Sequence, residues 1–369
     1  MLSGSKKYYL EAARGIASII VVFHHFALAF LPAVKVGVIG TPLNAIFNGE
    51  AAVIFFFTLS GFLLASSFIR NPDLTYLTAS AGKRLPRLML PAGLSILCGF
   101  ALMSSGAMFN LEASYITQSR WLASMGNAHL HEGFEPGILD ALEQTLTVFL
   151  FNYNYEYNSN LWTMRHELYG SFMVFLTVLI VLAPLDRLIQ LGSILLYATL
   201  VRVSLPVLTP FVVGVAVAFL LSKWEVRRCD NGVTAIVLLL MSVFGFASTN
   251  ADINVVGSAL VILGLNVCKN AAEPLSGTVG KRLGELSFPL YLVHTLVILS
   301  ASSFAFVALA PVSPSAALVL AALVTFCCSL VALLPFIFID RWWVRSLNAV
   351  AKKLQARISV SMRWLKAAQ

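Results

Sequence analysis

The sequence predicts an all-α membrane protein: a polytopic bundle of about ten transmembrane helices with both termini in the cytoplasm. Three observations carry that expectation. Of the 369 residues, 59% are hydrophobic and 11% charged, whereas a soluble domain is about half apolar and about a quarter charged. Apolar runs of about 20 residues, the length a helix needs to cross the hydrocarbon core, recur along the whole chain. The basic residues crowd into alternate gaps between these runs, which is a topological signal. The formal net charge of +8 therefore points to anchoring at a membrane face. A nucleic-acid partner is not expected, because the basic residues do not gather with aromatics on one soluble face.

Taken in order, spans are expected near residues 10–31, 45–69, 86–108, 162–183, 187–202, 204–222, 233–248, 253–268, 286–309 and 315–339. With the N-terminus inside, only Lys35, Arg120, Arg165 and Arg202 of the 25 Lys and Arg fall on the outer side. That asymmetry predicts cytoplasmic termini, and the expected location is the plasma (inner) membrane, as a multi-pass protein. Lys6 and Lys7, followed by an apolar run ending at Ala27-Leu28-Ala29, mimic a signal peptide. His24 and His25 interrupt that run and further spans follow, so the segment is expected to remain as helix one. The five cysteines show neither a disulfide framework nor a zinc spacing, and no metal site is expected.

Two stretches fall outside this pattern. Residues 109–160 form a long polar connector holding His129, His131, Glu132, Glu135 and the tract Asn152-Tyr153-Asn154-Tyr155-Glu156-Tyr157-Asn158, a length that suggests a functional loop. Within it, Ile138 to Phe151 is apolar but too short to cross, and is expected as an interfacial or re-entrant helix. From Arg341 to Gln369, Trp342, Trp343 and Trp364 mix with basic residues, as in a helix lying on an anionic leaflet. The domain division is thus 1–340 for the transmembrane domain and 341–369 for a basic amphipathic cytoplasmic tail. No internal repeat supports an inverted-repeat transporter.

Ionisable groups within membrane helices are costly and mark functional sites by default. Arg14 and His25 are 11 residues apart, which puts them on one face of helix one about 16 Å apart along the axis. A cation at the cytoplasmic mouth can hold a phosphate-bearing donor while a deeper imidazole takes a proton from an acceptor hydroxyl. On spacing alone, a topology anchor and a packed histidine explain the pair equally well. If the pair lines one passage, Ser18 and Val21 or Val22 line it too, with Ile16 and Phe23 on the opposite face. His24 is turned about 100° away and reads as a packing residue.

In Lys83-Arg84-Leu85-Pro86-Arg87, two arginines bracket a proline at an expected helix start, which makes a workable phosphate cradle beside free backbone amides. Positive-inside anchoring explains the same segment equally well. Ser60-Gly61-Phe62 follows the phenylalanine run at 55–57, and Gly61 suits close helix packing. Leu161-Trp162-Thr163 to Glu167 opens a further helix. There Thr163 suits a cap, Glu167 faces inward to orient an imidazole or bind the acceptor, and Trp162 suits stacking on a sugar. The plain alternative pairs Glu167 with Arg165. Tyr291 and His294 are three apart on a late helix and share a face.

In order and spacing, these segments resemble the acyltransferase-3 family of integral membrane O-acyltransferases over nearly the whole chain. Arg14 and His25 match its helix-one arginine, ten residues, histidine motif; Arg84 and Arg87 match its arginine pair. Phe55 to Leu63 is similar to its second helix, Trp162 to Glu167 to its tryptophan-to-glutamate motif, and Pro289 to His294 to its late tyrosine-histidine motif. Arg165 and His166 depart from it, standing where small or apolar residues are usual.

The resemblance implies ten core helices and transfer of an acyl group, acetyl in the first instance, from cytoplasmic acyl-coenzyme A to a hydroxyl of a carbohydrate. That acceptor, a glycan or glycolipid, is reached from the outer side. It implies His25 and Glu167 as catalytic residues, Arg14, Arg84, Arg87 and Ser60 as donor-binding, and Trp162, Tyr291 and His294 as acceptor-binding. Acyl-coenzyme A is a co-substrate; no permanently bound cofactor is expected, and membrane lipid is the surrounding partner. Without the esterase-like domain that some members append, a one-chain transferase is expected. Attack on the thioester directly or through an acyl-histidine, the identity of the acceptor and the oligomeric state all stay open. Two other functions stand beside this reading: a proton-coupled transporter or flippase relaying protons through His25, Glu167 and His294, and a non-catalytic membrane scaffold.

Overall fold

The computed structural model describes residues 7–70, 72, 74–151, 155–223 and 232–367. Helix accounts for 84% of the structure and no strand is present among the described residues. The principal helices are α1 (Tyr8–Phe30), α2 (Gly49–Arg70), α3 (Leu74–Ser104), α4 (Ile138–Leu150), α5 (Trp162–Leu182), α6 (Arg187–Ser204), α7 (Thr209–Lys223), α8 (Gly232–Ala247), α9 (Ala251–Val267), α10 (Thr278–Val297) and α11 (Pro314–Ala367). All ten expected spans coincide with one of them, and the short apolar segment of the connector forms α4. Six helices, α1, α2, α3, α6, α10 with its extension, and α11, are long and apolar enough to cross a membrane, while α7, α8 and α9 are shorter apolar helices.

Between helices in lipid there is no hydrophobic gain, so association rests on close packing of small residues and on buried polar contacts. The chain uses both. A Cβ on Gly61 would collide with the carbonyl of Phe211, and one on Gly214 with that of Thr58, so α2 and α7 cross backbone to backbone. Gly245 and Gly257 bring α8 against α9 in the same way. Gly15 lies on Leu283, and Gly284 on Glu11, which seats α1 along α10. Phe55, Phe62, Phe68, Phe211 and Phe219 fill the interior that these crossings enclose. Leu188, Leu196 and Val203 on α6, and Phe326, Val331 and Phe338 on α11, point outward, as a lipid-facing surface requires.

Three local features position the site. First, α3 begins twelve residues before Pro86, which lies with Pro91 inside a continuous helix. The expected helix start at Arg84 to Arg87 is therefore absent. No free helix-start amides lie beside the two arginines, so an anion there meets side-chain cations and not a helix N-terminus. Trp343 of α11 donates its Nε1–H to the Pro86 carbonyl at 2.7 Å, tying the two helices together there.

Second, α10 loosens after Val297 into a π turn, Ile298–Ser302, before resuming as Ser303–Leu309. The displaced carbonyls find donors: Ser303 Oγ bonds Ile298 O at 2.7 Å and Phe109 N bonds Leu299 O at 2.9 Å.

Third, the chain from Asn158 to Leu161 forms only a single 3-10 turn, Ser159–Leu161, outside any α-helix, yet Asn158, Asn160 and Leu161 are buried. Irregular backbone at membrane depth needs internal partners. Asn158 Nδ2 donates to Ser95 Oγ at 3.0 Å and to Leu292 O at 2.9 Å; Asn160 Nδ2 donates to Tyr291 O and Thr295 Oγ1, both at 2.9 Å. The segment is thereby wedged between α3 and α10.

The helix continues without a break past Arg341 through the expected tail, and the side chains of its last turns, Trp364 among them, lie outside the described residues. So do Lys6, the Asn152-Tyr153-Asn154 part of the aromatic tract, and Arg227, Arg228 and Cys229.

Candidate active site

The sequence brackets the site at the two ends of α1. At the end bearing Arg70, Lys281 and Arg345, hereafter the basic end, a cavity of about 660 Å³ opens between α1, α2, α3, α5, α10 and α11. Arg14, Ser60, Arg84, Arg87 and Glu167 all line it, joined by Glu11, Lys281, Asp340, Arg341 and Arg345. Ser60 lies midway along α2, so the cavity penetrates to the middle of that helix. Its inner end is more apolar, with Val53, Phe56, Phe57 and Met164, and it stops at Thr163 and Tyr291.

The charges in this cavity fall into two groups. Arg84 and Glu167 are largely buried and form an ion pair. Ser60 Oγ donates to the same carboxylate oxygen at 2.6 Å, and Arg84 Nε donates to Ser171 Oγ at 2.7 Å. Arg14 is likewise tied, donating from Nε to Ser287 Oγ and from Nη2 to Gly284 O, both at 2.9 Å, with Glu11 at 2.7 Å. Arg341 pairs with Glu285 at 2.6 Å. By contrast Arg87, Lys281 and Arg345, which are exposed, bond to no other side chain among the described residues. Fixed pairs line the throat, and cations bonded to no side chain stand at the mouth, Arg87 among them with the Asp340 carboxylate in its electrostatic range.

At the far end of α1, His25 meets His294 of α10, with Nδ1 and Nε2 3.0 Å apart. The ring of Trp121, from the connector, lies against His25 with centroids 5.1 Å apart. Ser119 Oγ bonds Leu28 O at 2.6 Å and clamps that segment onto α1. His24 instead bonds the carbonyl of Phe47 at 2.7 Å, and Gly49 packs on its ring, so it is the packing residue expected.

A thin partition separates the two regions. Tyr291 hydrogen bonds to the carbonyl of Asn160, and its hydroxyl lies 2.6 Å from Thr163 Oγ1. The Tyr291 ring centroid is 6.2 Å from that of His294, which is 5.2 Å from that of His25. Three rings in a row therefore lead from the cavity floor to His25.

Several expectations need correction. Glu167 engages Arg84 and Ser60 and makes no hydrogen bond to His25 among the described residues; the side chain that bonds His25 is His294. Of the three groups considered for a proton relay, His25 and His294 are directly bonded, and Glu167 bonds to neither among the described residues. Arg165 is not the partner of Glu167, and its Nε is buried without any partner among the described residues. Thr163 does not cap α5 but turns its hydroxyl to Tyr291. Trp162 is 41% exposed on the outer surface of α5, edge-on to His166, and does not line the cavity. Ser18 and Val21 are packed, at 1% exposure, and no residue of α1 beyond Arg14 lines the cavity. The route inward thus follows α2, α5 and α10, because α1 presses its small residues against α10. Ile16 and Phe23 do face outward.

Sequence reasoning missed Trp121, Asn158 and Asn160. The last two carried a signal, since side-chain amides in a chain this apolar need buried partners; nothing local distinguished Trp121.

A bundle of apolar helices holding ionised and imidazole groups at depth defines a multi-pass membrane protein with an internal site. The family is then given by comparison: the acyltransferase domain model of the acyltransferase-3 family matches residues 7–334. The chain belongs to that family and is a membrane acyltransferase. Comparison with curated proteins and with solved structures finds no match.

Proposed function

We propose that the protein transfers an acyl group, acetyl in the first instance, from acyl-coenzyme A to a hydroxyl of a glycan or glycolipid presented on the opposite side of the membrane. The basic end is taken as cytoplasmic, with ten spans and both termini on that side in the inner membrane, as the asymmetry of basic residues requires. The observation that carries the reading is the cavity: its mouth holds Arg87, Lys281 and Arg345, which no other side chain bonds among the described residues, its throat is lined by the Arg84–Glu167 pair, and its floor is one ring from the histidines.

Coenzyme A has the complementary form, phosphates at one end of a thin arm and a thioester at the other. Arg87, with Lys281 and Arg345, takes the phosphates. Arg14 and Arg84, already held by Glu11, Ser287, Glu167 and Ser171, fix the wall along which the arm runs. Glu167 is thereby a residue of the donor wall, holding Arg84 and Ser60 in place. The thioester reaches the apolar inner end, and the Tyr291–Thr163 contact opens to admit it to His25.

His25 serves as general base. As the acceptor oxygen bonds to the acyl carbon, its proton passes to His25 and from there to the leaving thiolate sulfur, so that an ester and a free thiol result. A route through acyl-His25 uses the same ring nitrogen. Acyl-coenzyme A is a co-substrate that leaves after each turnover, and the basic tail begins as a continuation of α11 on the cytoplasmic side, where Arg341 and Arg345 line the cavity.

The test uses sealed membrane vesicles from the native host, carrying the protein and its own acceptors, supplied with radiolabelled acetyl-coenzyme A on the cytoplasmic face. Label in the glycan fraction that disappears with the protein supports the reading; no incorporation, with no thiol released, overturns it.

A further inference from the structure

The hydrogen bonds around His294 run in only one direction. His294 Nδ1 lies 2.9 Å from the carbonyl of Leu290. A carbonyl can only accept, so Nδ1 carries the N–H. A neutral imidazole has one donor and one acceptor nitrogen, and His294 Nε2 is therefore a bare acceptor. It faces His25 Nδ1 at 3.0 Å, and that nitrogen must then carry its own N–H. The Val21 carbonyl, one turn back on α1 as Leu290 is from His294, also accepts from His25; a carbonyl one turn back reaches Nδ1, so that N–H is shared between Val21 and His294, and His25 Nε2 is left with its lone pair. No carboxylate bonds to either ring among them, so an imidazolium in place of the neutral pair would have no anion beside it.

We propose that His294 is a positioning residue that fixes His25 in the tautomer able to act as base, rather than a group that binds the acceptor. The chain runs from the Leu290 carbonyl through His294 to His25 and ends at the open Nε2. When that nitrogen takes the acceptor's proton, His25 Nδ1–H still donates to His294, which spreads the new charge along a path of neutral groups. The role is the one a buried carboxylate plays in a serine-type triad, where loss of the correct tautomer costs about 10⁴ in turnover. A neutral partner performs it here without placing a permanent charge in the bilayer. The geometry that enforces it is local to α10: Leu290 and His294 are one helical turn apart, and His294 is fully buried.

The inference rests on His25 being the base, and the experiment separates the two. In the native-host vesicles, turnover and the KM for acetyl-coenzyme A are measured for His25→Ala, His294→Leu, His294→Gln and His294→Lys. His294→Leu removes the acceptor and lowers turnover about 100-fold or more, with KM for the donor within about twofold. His294→Gln offers an amide oxygen to His25 Nδ1–H and stays within about tenfold of wild type, whereas His294→Lys offers donors only and falls as far as the leucine variant. The contrast between Gln and Lys, two polar side chains, holds even if the leucine variant inserts poorly. Equal activity of the Gln and Lys variants, or a near-wild-type leucine variant beside an inactive His25→Ala, overturns the tautomer role alone. An active His25→Ala overturns the base reading beneath it.

Discussion

The two halves of the site handle polarity in opposite ways. Around the basic-end cavity the side chains are charged, and each buried one has an immediate counter-charge or hydroxyl: Arg84 with Glu167 and Ser171, Arg14 with Glu11 and Ser287. Around His25 the chain of partners is neutral from the Leu290 carbonyl outward. The difference follows from access to water. An open cavity hydrates its mouth and lets ion pairs form at modest cost, whereas a charge beyond the Tyr291 partition has no counter-charge bonded to it among the described residues to offset its desolvation. Binding a polyanion calls for the first environment, and holding a base in its reactive tautomer calls for the second.

The sharpest way to break this comparison is at the neutral end. His25→Ala is expected to lower transfer by about 10² to 10⁴, with membrane levels unchanged, because it removes the base. His24→Ala, which loses the bond to Phe47 and an edge contact with the His25 ring but no acceptor on His25 Nδ1, keeps most activity and tests whether the effect is specific. A similar loss in both variants, read as label incorporated per molecule of protein, would shift the explanation from chemistry to packing.

At the charged end the expected signature is coupling. Arg84→Met or Glu167→Gln alone leaves an unpaired polar group in the throat and is expected to destabilise the protein by about 3 kcal/mol. The double variant costs less than the sum of the two, as thermal unfolding in detergent would reveal; additive costs would mean that the pair is hydrated and not a fixed element. Arg87→Lys keeps the charge but loses the planar fork, and is expected to raise the KM for donor about tenfold with turnover unchanged. A changed turnover would move Arg87 from binding to the reaction itself.

Thiol labelling sharpens the boundary between the halves. In a variant lacking the five native cysteines, a cysteine at Phe57 or Met164 should react with a small reagent and be protected by coenzyme A. One at Ser18 or Val21 should not react, since both are buried. Reaction at Ser18 would restore a passage along α1.

The smallest effect is expected from Trp121→Ala, which removes the ring against His25. A rise of a few-fold in the acceptor KM, with the donor KM constant, would mark that ring as part of the acceptor side; an unchanged acceptor KM would leave it a packing group.

By itself the sequence determined the helices, because a run of about 20 apolar residues has no other stable form in a bilayer. It also singled out Arg14, Arg84, Arg87 and Glu167, since ionisable groups in such runs are conspicuous against an apolar background, while their roles and that of Ser60 came from the family resemblance. Their partners were decided only by the tertiary structure. Glu167 could face Arg165 two residues away or Arg84 on another helix, and helical spacing cannot choose between them; the close approach that gives Arg84 both Glu167 and Ser171 did. Trp162 and Trp121 are equally suited to stacking on a ring, yet only Trp121 is folded over His25, because Ser119 ties its segment to Leu28. The wedge of Asn158 and Asn160 between α3 and α10 was legible only as a polar tract without a destination. Contacts between segments far apart in the chain depend on which faces of rigid helices meet, and that choice is made by the whole bundle, through the few places where glycine lets two backbones touch.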